Sequence, residues 1–171
     1  FFGANPMYRA LRDSVDSPFD APDKVFDGAL PNLAPNGDRL FFIRAGGGDF
    51  STFNLWWATV NGGAIRSPAP LPLNATGAQN APFASAKSLY FAQSATAFTT
   101  HRIWRADWVN NAIGAPTLVD LKMKGEHDED RPAVTRDDRV LYFSLRLPLT
   151  NSTLTSPTIS RAVQEAGKLS A

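Results

Sequence analysis

The sequence contains no cysteine, which excludes disulfides and thiolate metal sites and says nothing decisive about compartment. It has no run of 18 apolar residues, so no stretch reads as a membrane-spanning helix. Net charge is nearly absent as well: a formal +1 at pH 7 gives no long-range field, which argues against a dedicated nucleic-acid groove. No signal peptide is visible, but the chain opens on Phe1 rather than methionine, so that absence carries little weight. What the sequence has in quantity is punctuation. Thirteen prolines and twelve glycines lie between aromatic runs, which fits many short strands joined by tight turns. With 43% apolar and 19% charged residues over 171 positions, this is a globular chain of about one domain.

The strands repeat. A proline opens a strand at Pro31, Pro82 and Pro132, spacings of 51 and 50 residues. An aromatic strand follows each time, as Leu40-Phe41-Phe42, Leu89-Tyr90-Phe91 and Leu141-Tyr142-Phe143. A third strand reads Leu55-Trp56-Trp57-Ala58 and then Ile103-Trp104-Arg105-Ala106, and a fourth, marked by proline, covers 67–71 and 115–119. Both ends fit the same frame: Met7-Tyr8-Arg9-Ala10 matches the tryptophan strand, and so does Ile159-Ser160-Arg161-Ala162. The register predicts a strand and a turn over 161–168, although that segment has helical composition. We label the four strands of a unit a to d.

Strand b is apolar on both faces, which suits a sheet covered on both sides. Strand c alternates, with Trp104, Ala106 and Trp108 on one face and Ile103, Arg105 and Asp107 on the other. A four-stranded unit of about 50 residues is a blade of a β-propeller. The expected fold class is therefore all-β, with propeller blades of four antiparallel strands and about three to four repeats. These form either an open arc or a small ring. The expected boundaries are the end of one blade over 1–28, blades over 29–74 and 75–121, and an incomplete or divergent blade over 122–171. The chain reads as a piece of a longer propeller.

These units resemble the WD40-like propeller repeat of the TolB type, often called the PD40 repeat. Its signature is a proline, then Ser-Pro-Asp-Gly, then Leu-Tyr-Phe, then Ile-Trp or Ile-Tyr with alanine. Here Pro31, Ala34-Pro35-Asn36-Gly37, Leu40-Phe41-Phe42 and Leu55-Trp56-Trp57-Ala58 carry it best. Asn36 replaces the usual aspartate, and the later units lose the Pro-Asp-Gly turn. The resemblance implies a bacterial, often exported protein, periplasmic or secreted. It also implies a protein-interaction platform or an accessory domain of a hydrolase, with no fixed catalytic residue.

Because strands alternate in direction, the b–c and d–a connections emerge on one face of the arc and the a–b and c–d connections on the other. The first, the loop face, collects both histidines of the chain, His101 and His127, with Arg102 and Arg146. Function concentrates on loops held by a rigid scaffold. The binding candidates are therefore Phe50, Phe53, Phe98, His101, Arg102, His127 and Arg146. Glu126-His127-Asp128-Glu129-Asp130 is rich in ligand types but matches no calcium-loop spacing, and it reads as a solvated acidic loop entering strand a. Gly46-Gly47-Gly48 lacks the lysine and spacing of a phosphate loop. Neither G-x-S-x-G nor a sialidase Asp box occurs, so no catalytic residue, metal or cofactor is assigned. Trp56, Trp104 and Trp108 read as packing between blades.

The leading reading is a non-catalytic module that binds a protein or peptide through the loop face. The remaining blades of the same protein are a further expected partner. The alternative is the propeller portion of a hydrolase, with a peptidase domain elsewhere or, less favoured, a glycosidase. Strand a, read as Asn32, Leu33, Phe83, Ala133 and Val134, offers no carboxylate for glycosidase chemistry.

Overall fold

The structure is a computed structural model that describes residues 6–45, 53–73, 77–94, 100–123, 127–146, 158–165 and 168–170. Among these there is no helix, hence none long and apolar enough to cross a membrane. The chain forms β1 (Pro6–Arg9), β2 (Asp23–Asp27), β3 (Ala29–Leu33), β4 (Arg39–Ala45), β5 (Phe53–Asn61), β6 (Ala64–Pro70), β7 (Ala78–Ala84) and β8 (Ser88–Ser94). It continues with β9 (Arg102–Val109), β10 (Ala112–Ile113), β11 (Thr117–Leu118), β12 (Asp128–Val134), β13 (Val140–Arg146), β14 (Thr158–Glu165) and β15 (Lys168–Ser170). The strands make antiparallel sheets in chain order: β1–β2, then β3–β4–β5–β6, then β7–β8–β9 with β10 and β11 on its outer edge, then β12–β13–β14–β15. The strand part of the reading of 161–168 holds over β14 and β15, which pair from Val163↔Ser170 to Glu165↔Lys168, while 166–167 lie outside the described residues.

The sheets stack face to face, and side-chain alternation divides the core between the interfaces. Phe41, Ile43 and Leu55 of the first full blade meet Leu89, Phe91 and Ala106 of the second, with Trp57, Trp104 and Trp108 half-buried around them. Tyr90 and Ile103, on the opposite side of the second blade, meet Leu141, Phe143 and Ala162 of the third. Met7 of β1 packs on Phe42 and Ala58, with Trp56 beside them. The tryptophans of strand c thus pack between blades, and strand b is apolar on both faces because each face has its own interface. Arg39 reinforces the first interface, its guanidinium lying 5.4 Å from the Trp57 ring centre and 5.7 Å from that of Trp108.

Each strand a carries a bulge at its proline. Asp130 pairs with Ser144 but Ala133 with Tyr142, so three steps along β12 match two along β13; β7 and β3 do the same. The residue before each proline has positive φ: Leu30 at 52°, Ala81 at 44° and Arg131 at 51°. An extra residue reverses which side chains face which way on the two sides of the bulge. The proline therefore marks more than the start of a strand. It marks the point where strand a changes face, and residues before it are aimed independently of those after it.

Strand a consequently begins earlier than the sequence suggested, and two expectations change. The acidic segment is not a solvated loop, because Asp128, Glu129 and Asp130 lie within β12, where Glu129 and Asp130 are buried. Nor is strand a free of carboxylates, since β12 supplies three. The a–b turn of the third blade keeps the geometry of the first despite losing its motif, whereas the second is shorter and closes with Ser85 N donating to Ser88 O. Gly37 donates to Ala34 O at 2.8 Å, and Asp138, in the equivalent place, donates to Thr135 O at 2.9 Å.

Candidate functional site

On the loop face, where the second and third blades meet, the bulge aims Glu129 into the interface, and the carboxylate is fully buried. Its Oε2 accepts from the backbone N–H of Ile103 at 2.9 Å, at the start of β9 in the neighbouring blade. Its Oε1 accepts from Arg102 Nε at 3.0 Å and lies 2.7 Å from His127 Nε2. Asp128 makes a parallel set one residue earlier. Its Oδ1 accepts from the backbone N–H of His101 at 2.7 Å and lies 3.0 Å from His101 Nδ1, while Arg146 Nη1 stands 3.8 Å from Oδ2. The register explains the last contact, because Asp128 faces Arg146 across the β12–β13 ladder.

Four of the seven residues singled out from the sequence, His101, Arg102, His127 and Arg146, are thus brought together around Asp128 and Glu129. Phe53 is not part of the group; it opens β5 and packs, half-buried, on the core between the first two blades. Phe50 and Phe98 lie outside the described residues. The two carboxylates are the members that sequence reasoning did not place at the site. A signal for Glu129 existed: it stands three residues before Pro132, as Gln79 does before Pro82. Gln79 Oε1 accepts from Leu55 N at 3.4 Å, so the two side chains make the same link one blade apart.

Arg102 and Arg146 are the solvent-facing members of the cluster, with side chains 38% and 51% exposed. Glu129 holds Arg102 through a hydrogen bond to Nε, and Asp128 stands at ion-pair distance from Arg146. His101 and His127 are largely enclosed. Among the described residues no group of three or more His, Asp or Glu side chains is placed to hold a metal ion. The carboxylates of β12 are all engaged, Asp130 Oδ1 accepting from Arg131 N at 2.8 Å. The cluster can lock two blades together and present two cationic forks to a partner.

The opposite, turn face carries two clefts. One lies between the first two blades, among Pro35, Asp38, Arg39, Ser85, Trp108 and Asn111. The other lies between the second and third, among Lys87, Arg105, Asp107, Trp108, Asp137 and Asp138. Burial raises the Tyr90 hydroxyl above its ordinary pKa, and Asp138 of the second cleft adds to the shift.

No protein-family model matches the chain, and no curated protein does. Solved structures do. A protein assigned as TolB from Agrobacterium tumefaciens superimposes with a TM-score of 0.60 at 12% identity, over 86% of this chain and 50% of its own. TolB from Acinetobacter baumannii gives 0.55 at 14%, over 87% of this chain and 34% of its own. A hypothetical selenium-binding protein from Sulfolobus tokodaii gives 0.54 at 12%, over 88% and 42%. The chain spans half or less of the length of each. At these identities the likeness is one of fold, and the fold is that of a TolB-type β-propeller.

Proposed function

We propose that this chain is a non-catalytic propeller module that binds a protein or peptide through its loop face. The supporting observation is the pair of half-exposed arginines, Arg102 and Arg146, each backed by a carboxylate of β12. An arginine fixed on one side loses less freedom when a partner engages the other. Planar guanidinium forks select carboxylates, so the partner segment carries aspartate, glutamate or a free C-terminus. An exported setting, periplasmic or secreted, goes with this reading.

Selection from a displayed random-peptide library on the full chain tests it. Acidic peptides are expected, and Arg146→Ala should weaken them about tenfold, the equivalent of about 1.4 kcal/mol. Arg102→Ala should act similarly, with an added loss of stability because the buried Glu129 loses its arginine partner and keeps only Ile103 N–H and His127. Selected peptides that bind the native chain and Arg146→Ala alike would sink the proposal.

A further inference from the structure

At the turn-face end of the same strands, Asp138 occupies the place that Gly37 holds in the first full blade, with φ of 59° against 76°. A side chain there costs conformational strain that glycine avoids, and a buried carboxylate costs desolvation as well. Asp138 is only 8% exposed, and burial pushes its carboxyl above the ordinary aspartate value. Oδ2 accepts from Ser85 Oγ of the preceding blade at 3.0 Å. Oδ1 is buried with no hydrogen-bond partner. The residue lines a cleft of about 330 Å³ between the second and third blades.

We propose that this cleft binds a primary ammonium group on a flexible alkyl chain, and that Asp138 turns its unpartnered Oδ1 toward the cleft to accept from it. The other charges around the cleft are largely spent. Arg105 is tied to Asp107 through Nη2–Oδ2 and Nε–Oδ1, both at 2.9 Å, and Asp107 Oδ1 also accepts from Ser88 Oγ at 2.7 Å. Asp137 Oδ1 accepts from Thr135 Oγ1 and Arg139 N. What remains unneutralised is Asp138 and the outer oxygen of Asp137, against the single charge of Lys87. An ammonium group is compact and has three donors, so it can serve a single buried oxygen and a rim carboxylate together. A guanidinium binds most strongly to two coplanar acceptors on one carboxylate, and Ser85 already holds the second oxygen of Asp138. A metal ion is the poorer fit, because no group of three or more acidic or histidine side chains among the described residues is placed for one. Trp108, fixed by its Nε1 donating to Ser85 O at 3.3 Å, supplies an apolar wall for the alkyl chain. A lysine side chain and a free polyamine share this chemistry.

The test is titration of the full chain with Nα-acetyl-lysine methylamide, 1,4-diaminobutane and n-butylguanidinium, followed by calorimetry and by the carboxyl-carbon resonance of Asp138. The two amines should bind with Kd of about 1 mM, as expected for fragments, and the guanidinium several-fold more weakly. Binding should weaken as pH falls through the titration of Asp138, and amine should move that titration to lower pH. Asp138→Asn, which keeps the shape and the Ser85 contact, should lose at least about tenfold in affinity. Lys87→Met should gain several-fold. Tighter binding of the lysine amide than of the diamine assigns the site to a peptide lysine, and the reverse order assigns it to a polyamine. Equal affinity of Asp138→Asn and the native chain, or no binding of either amine, overturns the proposal. If Asp138→Asn does not fold, an unmoved Asp138 resonance in the native chain and an indifferent Lys87→Met overturn it equally.

Discussion

Glu129 is a fully buried charge that answers two donors on the neighbouring blade and a histidine on its own. Whether such a group stabilises the fold depends on what replaces it, because a buried ion pair gains little over a well-packed apolar pair, whereas removing one partner leaves the other exposed to the full desolvation cost. Gln79 supplies the natural comparison, since an amide in the same place still accepts from the first backbone N–H of strand c. Glu129→Ala should therefore lower unfolding stability by about 3 kcal/mol or more, and Glu129→Gln by only about 1 kcal/mol. Denaturant unfolding of the two variants measures the difference. Equal losses would mean that the backbone link to Ile103 contributes nothing and that the charge alone matters. None of this was readable from the acidic run itself. Five consecutive polar residues look solvated, and only the face reversal at Pro132 turns Glu129 inward while Asp128 reaches His101 and Arg146.

At the scale of the element, the repeat of prolines, aromatic strands and alternating tryptophans was fully legible, because each reports a local constraint: fixed φ, burial on two faces, period 2. Gly37 and the turn around it were legible for the same reason. The bulge was not. It needs a residue before proline at positive φ, and Leu30, Ala81 and Arg131 share no side-chain chemistry that would announce it. Asp138 likewise stands where the motif would have had glycine, so the third turn looked lost although its geometry persists. The strained conformation at Leu30 gives a direct check. Its side chain is substantially exposed, so Leu30→Gly loses little packing and relieves the left-handed strain, at the entropic cost of a glycine in the unfolded chain. The net effect should be neutral to stabilising by up to about 1 kcal/mol, whereas an ordinary strand Leu→Gly change destabilises by more than that. Thermal melting of the variant distinguishes the two, and a drop of several degrees would show that no strain is stored at the bulge.

For the whole molecule, what matters is where the stack of blades stops. Tyr90 and Ile103 of the second blade are buried by the third, whereas their counterparts in the third, Tyr142 and Ile159, are 42% and 83% exposed. The described residues thus form an open arc, with one blade face uncovered at its end, and not a closed ring. Repeat proteins draw their stability from contacts between neighbours, and an apolar terminal face without a polar cap drives association. Burying two such side chains is worth about 1.5–3 kcal/mol each, and the edge strand beside them offers backbone groups for pairing. The 171-residue chain on its own should therefore self-associate at micromolar concentration, with a weight-average mass in sedimentation velocity that rises with concentration. Placing charges on the face, as in the double variant Tyr142→Lys and Ile159→Glu, should restore a concentration-independent monomer without altering the far-ultraviolet circular dichroism. A native chain that already sediments as a monomer at every concentration, and melts in one sharp transition, would show instead that the last face is covered within the chain and that the arc closes on itself.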